Sequence, residues 1–268
     1  MPTITEVLRD AKIRQIDSEV LLAHVLDKSR TWIYTWSEFI ISQQQLKKFQ
    51  HLVKLRQTGM PVAYLTGHKE FCSLNFTVTK DTLIPRPETE MLIEIVLENI
   101  KKDSKILELG TGSGALAIAL GKECKTCQIT ATDTSDAALA VASENSTVHK
   151  TKNVRFIKSN WFANLGHEKF DLIVSNPPYV AETEKHLLDE EINFEPAIAL
   201  FSGQDGLNAI REIIKNAKQH LNTSAAIILE HGFSQSQKVK DLFMANNYNK
   251  IQSFKDQQSH IRFTKATG

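Results

Sequence analysis

Ile106-Leu107-Glu108-Leu109-Gly110-Thr111-Gly112-Ser113-Gly114 decides the fold. A mostly apolar run of strand length ends in glycines at alternate positions, and residues 115–121 continue as an apolar helix. Glycines there permit tight turning and close backbone approach to a ligand, with a helix N-terminus beyond. The same unit then recurs. Strands are expected at 105–109, 128–132, 154–158, 172–175, 225–229, 250–254 and 261–264, alternating with helices at 115–121, 137–149, 206–221 and 235–246. This order predicts an α/β fold, a mostly parallel seven-stranded sheet with helices on both faces and a ligand crevice beyond the strand ends.

Upstream the character changes. Residues up to about 67 read as helices only: Thr3 and Glu6 have capping-box spacing, residues 18–26 carry a wide apolar stripe, and 42–58 form a longer amphipathic helix stopped by Gly59 and Pro61. Trp32, Tyr34, Trp36 and Phe39 form an aromatic segment expected mainly to pack this bundle, with an exposed subset able to grip a partner. Residues 71–76 and 77–79 read as a small β-hairpin joining the bundle to the rest of the chain. After it come Ile84-Pro85-Arg86-Pro87-Glu88-Thr89-Glu90, whose prolines hold Arg86 extended, and a helix over 91–101. So dense a charge cluster suggests a cleft wall in preference to a structural clamp.

Hydrophobic residues make up 41% and charged residues 24%, which excludes a disordered chain. A net charge of +1 gives no broad footprint for nucleic acid or anionic membrane. No apolar run reaches membrane-spanning length and the first residues lack a secretory pattern, so a cytoplasmic protein is expected. The three cysteines offer no disulfide framework. Cys124 and Cys127 have C-x-x-C spacing but no second pair for a metal, and their place between a helix and a strand indicates packing.

The glycine run satisfies the loose dinucleotide pattern, with Asp133 at the end of the next strand where a ribose diol would be gripped, so a nicotinamide cofactor is one reading. Glu108 favours another. A carboxylate beside the loop repels a pyrophosphate and attracts an ammonium or sulfonium group, as in S-adenosylmethionine. Trp161, after the third strand, can stack on an adenine or fill the core. The strand Phe170-Asp171-Leu172-Ile173-Val174-Ser175 runs into Asn176-Pro177-Pro178-Tyr179. Two prolines stop the strand and leave free carbonyls, Asn176 adds an amide acceptor and Tyr179 a flat ring. Together they suit a planar NH2 group.

These stretches, with Ser159-Asn160-Trp161, Phe194-Glu195-Pro196 and Glu230-His231-Gly232, make the chain resemble the HemK/PrmC family, which methylates a glutamine side chain of peptide-chain release factors. The resemblance runs over essentially the whole length. It implies a helical bundle for substrate recruitment over 1–67, a hairpin linker over 68–87 and a Rossmann-like class I methyltransferase domain over 88–268. It also implies cofactor contacts from Gly110, Thr111, Gly112, Ser113, Gly114, Asp133, Trp161 and Asn176, and substrate contacts from Asn176, Pro177, Pro178 and Tyr179, of which Asn176, Pro177 and Tyr179 carry catalysis. The implied partner is a release factor in translation termination, with no membrane and no stable nucleic-acid binding. Asn-Pro-Pro-Tyr is shared with adenine N6-methyltransferases, so an enzyme acting on DNA or RNA is the alternative, with a non-catalytic S-adenosylmethionine-binding scaffold behind it. Relatives usually have Asp where Asn160 stands, and a glycine between the Asp and Arg of the last hairpin, where this chain reads Asp256-Gln257-Gln258-Ser259-His260-Ile261-Arg262.

Overall fold

The first helix begins where its cap residues dictate. In the computed structural model, which describes residues 1–187 and 189–268, Thr3 Oγ1 accepts from Glu6 N at 3.3 Å and the Glu6 carboxylate accepts from Thr3 N at 2.9 Å. Helices α1 (Ile4–Asp10), α2 (Gln15–Leu26), α3 (Arg30–Thr35), α4 (Gln43–Gln57) and α5 (Val62–Thr66) come next. Ser42 and Gln45 repeat the capping box at the head of α4. Ile4, Leu21, Leu22, Ile33, Phe49 and Val53 form the core of these helices. The five-residue α5 has no sequence period long enough to betray it. These helices belong to one compact unit, Met1–His68 with Asp189–Phe194; Lys69–Leu188 with Glu195–Gly268 form the second. Within the first unit the buried Arg56 guanidinium pairs with Asp17 at 2.7 Å and with Glu191.

The second unit begins within β1 (His68–Phe71), which forms a hairpin with β2 (Leu74–Thr77). Its turn lies at Cys72 and Ser73, not between residues 76 and 77 as the sequence suggests. Both turn residues take a left-handed backbone (φ 49° and 59°) that Asn-Gly would normally advertise. Then come α6 (Glu90–Leu97), β3 (Lys105–Leu109), α7 (Ala115–Glu123), β4 (Gln128–Asp133), α8 (Asp136–His149), β5 (Val154–Lys158), β6 (Phe170–Ser175), α9 (Ala197–Leu200), α10 (Asn208–Ala217), β7 (Leu221–Glu230), α11 (Ser236–Ala245), β8 (Asn249–Lys255) and β9 (Ile261–Thr267).

The last seven strands form one sheet in the order β5-β4-β3-β6-β7-β9-β8, parallel except where β9 enters against β7 and β8. Period-two alternation divides its core. Ile106, Leu172, Val174 and Ile228 pack on one face, with α6 and α7. Leu107, Leu109, Ile173, Ile227 and Leu229 pack on the other, with α10 and α11. The order reverses beside β3: β4 lies on one side of it and β6 on the other, so their C-terminal ends open a crevice.

Arg86 pairs with the buried Glu195, whose other oxygen accepts from Ile84 N at 2.9 Å, and Glu90 accepts from Cys72 N at 2.9 Å. The charge cluster is thus a clamp, where the sequence favours a cleft wall. Cys124 and Cys127 are joined in a disulfide, contrary to the expectation of free thiols. Asn153 Nδ2 reaches the carbonyls of Gly121, Cys124 and Cys127 at 3.0–3.2 Å, and this tight turn brings the two sulfurs together.

Candidate functional site

Three strand ends build the site. Gly110 N and Thr111 N both donate to Thr132 O (2.8 and 2.9 Å), which holds the glycine loop over the end of β4. Asp133 then closes the loop from the other side, accepting from Gly112 N and from Ser135 N, each at 2.9 Å. Gly114 caps α7 at φ 80°, and a Cβ on it would lie 3.0 Å from Ala142 Cβ and Ile118 Cδ1. No other residue fits that corner. Behind the loop, Asn145 is a buried amide with every hydrogen-bonding group used: it accepts from Thr77 N at 2.8 Å and donates to Thr77 O and Ser113 O at 3.0 and 2.9 Å. It staples the hairpin, α8 and the loop together.

Glu108 differs from the expectation. Its carboxylate is buried and accepts from Thr111 Oγ1 at 2.6 Å, and burial, with Asp133 nearby, pushes it up to about 7. It does not line the crevice; Asp133, Asp81 and Glu212 do, and of these Asp133 stands at the glycine loop.

At the end of β6, Ser175 Oγ donates to Leu109 O at 2.7 Å and ties the tip to the glycine strand. Asn176 Nδ2 donates to Thr89 Oγ1 at 3.1 Å. Pro177 is buried. Tyr179 is held at both ends: its hydroxyl donates to Glu230 at 3.2 Å and its carbonyl accepts from Gln235 Nε2 at 2.9 Å. A Cβ on Gly206 would stand 2.2 Å from that carbonyl, so only glycine lets the chain pass behind the tip. Burial, with Glu230 adjacent, raises the phenol far above its ordinary range and keeps it neutral. Burial likewise pushes Glu230 up to about 7.

Between the loop and the tip lies a cavity of about 640 Å³. Gly110, Gly112, Asp133, Trp161, Asn176 and Pro178 line it, as does Asn160. Thr111, Ser113, Gly114, Pro177 and Tyr179 are not among its lining residues; they shape the turns behind it. Trp161 takes a left-handed backbone (φ 48°), a conformation that costs a bulky residue roughly 1–3 kcal/mol. Its ring stands 3.7 Å from where a Gly110 Cβ would be, and so forms a wall of the cavity. The far wall includes Leu83, Phe201 and Asn208, which no motif marks. Thr89 and Glu230 sit inside stretches singled out in the sequence, but only the fold brings them to Asn176. In the last hairpin, Asp256 Oδ1 accepts from Gln258 N and His260 N at 2.9 Å, and Ser259 takes φ 67°, the conformation a glycine would otherwise supply.

Residues 87–200 match the model of the methyltransferase small domain, and residues 3–67 match that of the PrmC N-terminal domain. The chain is 42% identical over 250 residues to the release factor glutamine methyltransferase of Shewanella oneidensis, covering 93% of this chain and 87% of that protein. It is 40% identical over 268 residues to the enzyme of the same name from Xylella fastidiosa, with 98% of each covered. Among solved structures it is similar to a methyltransferase from Pyrococcus furiosus (TM-score 0.56, 18% identity, 84% of this chain and 98% of that one). A T. thermophilus 16S rRNA methyltransferase in complex with AdoMet and guanosine is similar over 75% of this chain and 49% of its own (TM-score 0.55, 16% identity). At such identities the two structures speak for the fold alone.

Proposed function

This chain belongs to the release factor glutamine methyltransferase family, and on that premise we propose that it transfers a methyl group from S-adenosyl-L-methionine to the side-chain amide nitrogen (N5) of a glutamine in a peptide-chain release factor. The observation that carries the reading is Asn176, which lines the same cavity as Gly110 and Gly112 of the glycine loop.

The residues fit the cofactor. The cavity is of ligand size, within roughly 300–1,000 Å³. A carboxylate, Asp133, and an indole, Trp161, stand on its wall for a ribose diol and an adenine, and the loop 110–114 carries no Lys or Arg for a pyrophosphate. When bound, S-adenosylmethionine supplies an electrophilic sulfonium methyl group. Gly110 and Gly112 would border it beside Asp133, Trp161 and Asn176, with Thr111, Ser113 and Gly114 shaping the loop behind them.

An amide nitrogen is a poor nucleophile because its lone pair is delocalised, so the task of the protein is orientation. Asn176 Oδ1 and the Pro177 carbonyl accept the two N–H bonds of the glutamine, which fixes the nitrogen and feeds density to it as it reacts. Such positioning lowers a barrier by up to about 7–11 kcal/mol in favourable cases. Pro178 borders the amide, and Tyr179, held by its hydroxyl to Glu230, backs the tip from behind the cavity. No base is required before attack, since the proton becomes acidic only as the nitrogen is alkylated.

We assign residues 1–67 to recruitment of the protein substrate, 68–87 to a linker and 88–268 to the methyltransferase. Trp36, 55% exposed, with Tyr34 and Phe39 also exposed, gives the helical part an aromatic surface for that task. Among the described residues no helix is long and apolar enough to cross a membrane. Incubating the enzyme with methyl-labelled cofactor and a cell extract, then separating protein from nucleic acid, tests the reading. Label in a protein of release-factor size is expected; label confined to nucleic acid contradicts it.

A further inference from the structure

Asn176 can serve as an acceptor only if its amide is turned the right way round. Its two ends are nearly the same shape, so packing alone does not choose between them. A flipped amide would present NH2 to the substrate, whose own NH2 it could not accept.

The residues behind it make that choice. Thr89 Oγ1 lies 2.8 Å from Glu230 Oε2 and 3.1 Å from Asn176 Nδ2, and both Thr89 and Glu230 are buried. A hydroxyl has one proton. Above about pH 7, where Glu230 is ionised, Thr89 spends it on Glu230 and can offer Asn176 only a lone pair, which an NH2 can meet and a carbonyl cannot. The second Glu230 oxygen takes the Tyr179 proton at 3.2 Å, so the carboxylate is the common end of both chains.

From this geometry, and resting on the proposed reaction, we infer that Thr89 and Glu230 are positioning residues that hold the Asn176 amide with its oxygen toward the cavity. Glu230 orients Thr89, and Thr89 orients Asn176. Neither touches the substrate. An acceptor so presented grips an NH2 group and repels a carboxylate of the same shape, which favours glutamine over glutamate.

The test replaces Thr89 by Val, of equal shape, and by Ser, which keeps the hydroxyl. In Thr89→Val, kcat is expected to fall on the order of a hundredfold, with KM for the release factor and cofactor affinity little changed; Thr89→Ser restores kcat. A second readout needs neither cofactor nor substrate. The Asn176 side-chain NH2 resonances, assigned by their loss in Asn176→Ala, should exchange slowly with solvent in wild type and Thr89→Ser, and faster in Thr89→Val. Should Thr89→Val fail to fold, Glu230→Gln takes its place, since an amide there can donate toward Thr89 and release its proton; the same fall in kcat is expected. Wild-type kcat in the substituted enzyme, unchanged exchange, or failure of Ser to rescue overturns the inference. If wild type itself transfers nothing to a release factor, the proposed reaction fails, while the exchange comparison still decides the relay.

Discussion

Asp133 carries two loads at once. It closes the glycine loop through Gly112 N and Ser135 N, and it puts a carboxylate on the cavity wall next to that loop. Asp133→Asn can keep one oxygen for Gly112 N, at the expense of the Ser135 N bond, and loses the charge. It should therefore fold, yet bind S-adenosylmethionine more weakly by roughly 1.5–3 kcal/mol, the worth of a charge-assisted hydrogen bond. Calorimetry showing wild-type affinity in the folded variant would remove Asp133 from the binding site. Glu108 plays a different part, because its burial costs stability. Its carboxyl is raised to about 7 in the fold, against an ordinary value of 4.5. A group raised in this way contributes stability that is complete below the unfolded value and is lost as pH rises through about 7. Glu108→Gln should consequently gain stability relative to wild type as pH goes from about 5 to about 8, by as much as roughly 3 kcal/mol. Denaturant titrations showing a pH-independent difference between the two would contradict the assignment.

At the scale of elements, β3, its glycine turn and α7 are legible in the sequence because three local signals agree: apolar strand length, glycine spacing and helical period. Strand β5 likewise matches its expected bounds, Val154–Lys158. What escaped was set by contacts distant in the chain. The hairpin turn at Cys72 and Ser73 lacks the Asn-Gly or Asp-Gly pair that marks such turns and is held in place by Glu90 from α6 and by Phe71 and Phe76 in the sheet core. Asn145, in the middle of α8, reads as an ordinary helix-surface amide until β2 arrives beside it. Since it supplies Thr77 with both a donor and an acceptor, Asn145→Ala leaves the part-buried Thr77 groups and the buried Ser113 carbonyl without these partners, at about 1–3 kcal/mol. Urea unfolding should show that loss together with faster hydrogen exchange at Thr77. A variant as stable as wild type would mean the hairpin is held by its apolar face alone.

Over the whole molecule, the sheet order puts two loops from opposite sides of the topological reversal onto one cavity: the glycine turn after β3 and the Asn176 tip after β6. The candidate site was legible as two stretches, each explicable by local chemistry. Their meeting was not, and neither was the chain of Thr89 and Glu230 behind Asn176, which joins residues 87 and 141 positions apart along the sequence. The central claim is that Asn176 orients the amide nitrogen that receives the methyl group. It is tested by single-turnover transfer to a purified release factor at saturating labelled cofactor, with the modified residue located by mass spectrometry, comparing wild type with Asn176→Ala. Wild type should methylate one glutamine side chain, and Asn176→Ala should lose the single-turnover rate by more than its loss of cofactor affinity explains; transfer to that glutamine by Asn176→Ala at the wild-type rate would contradict the account.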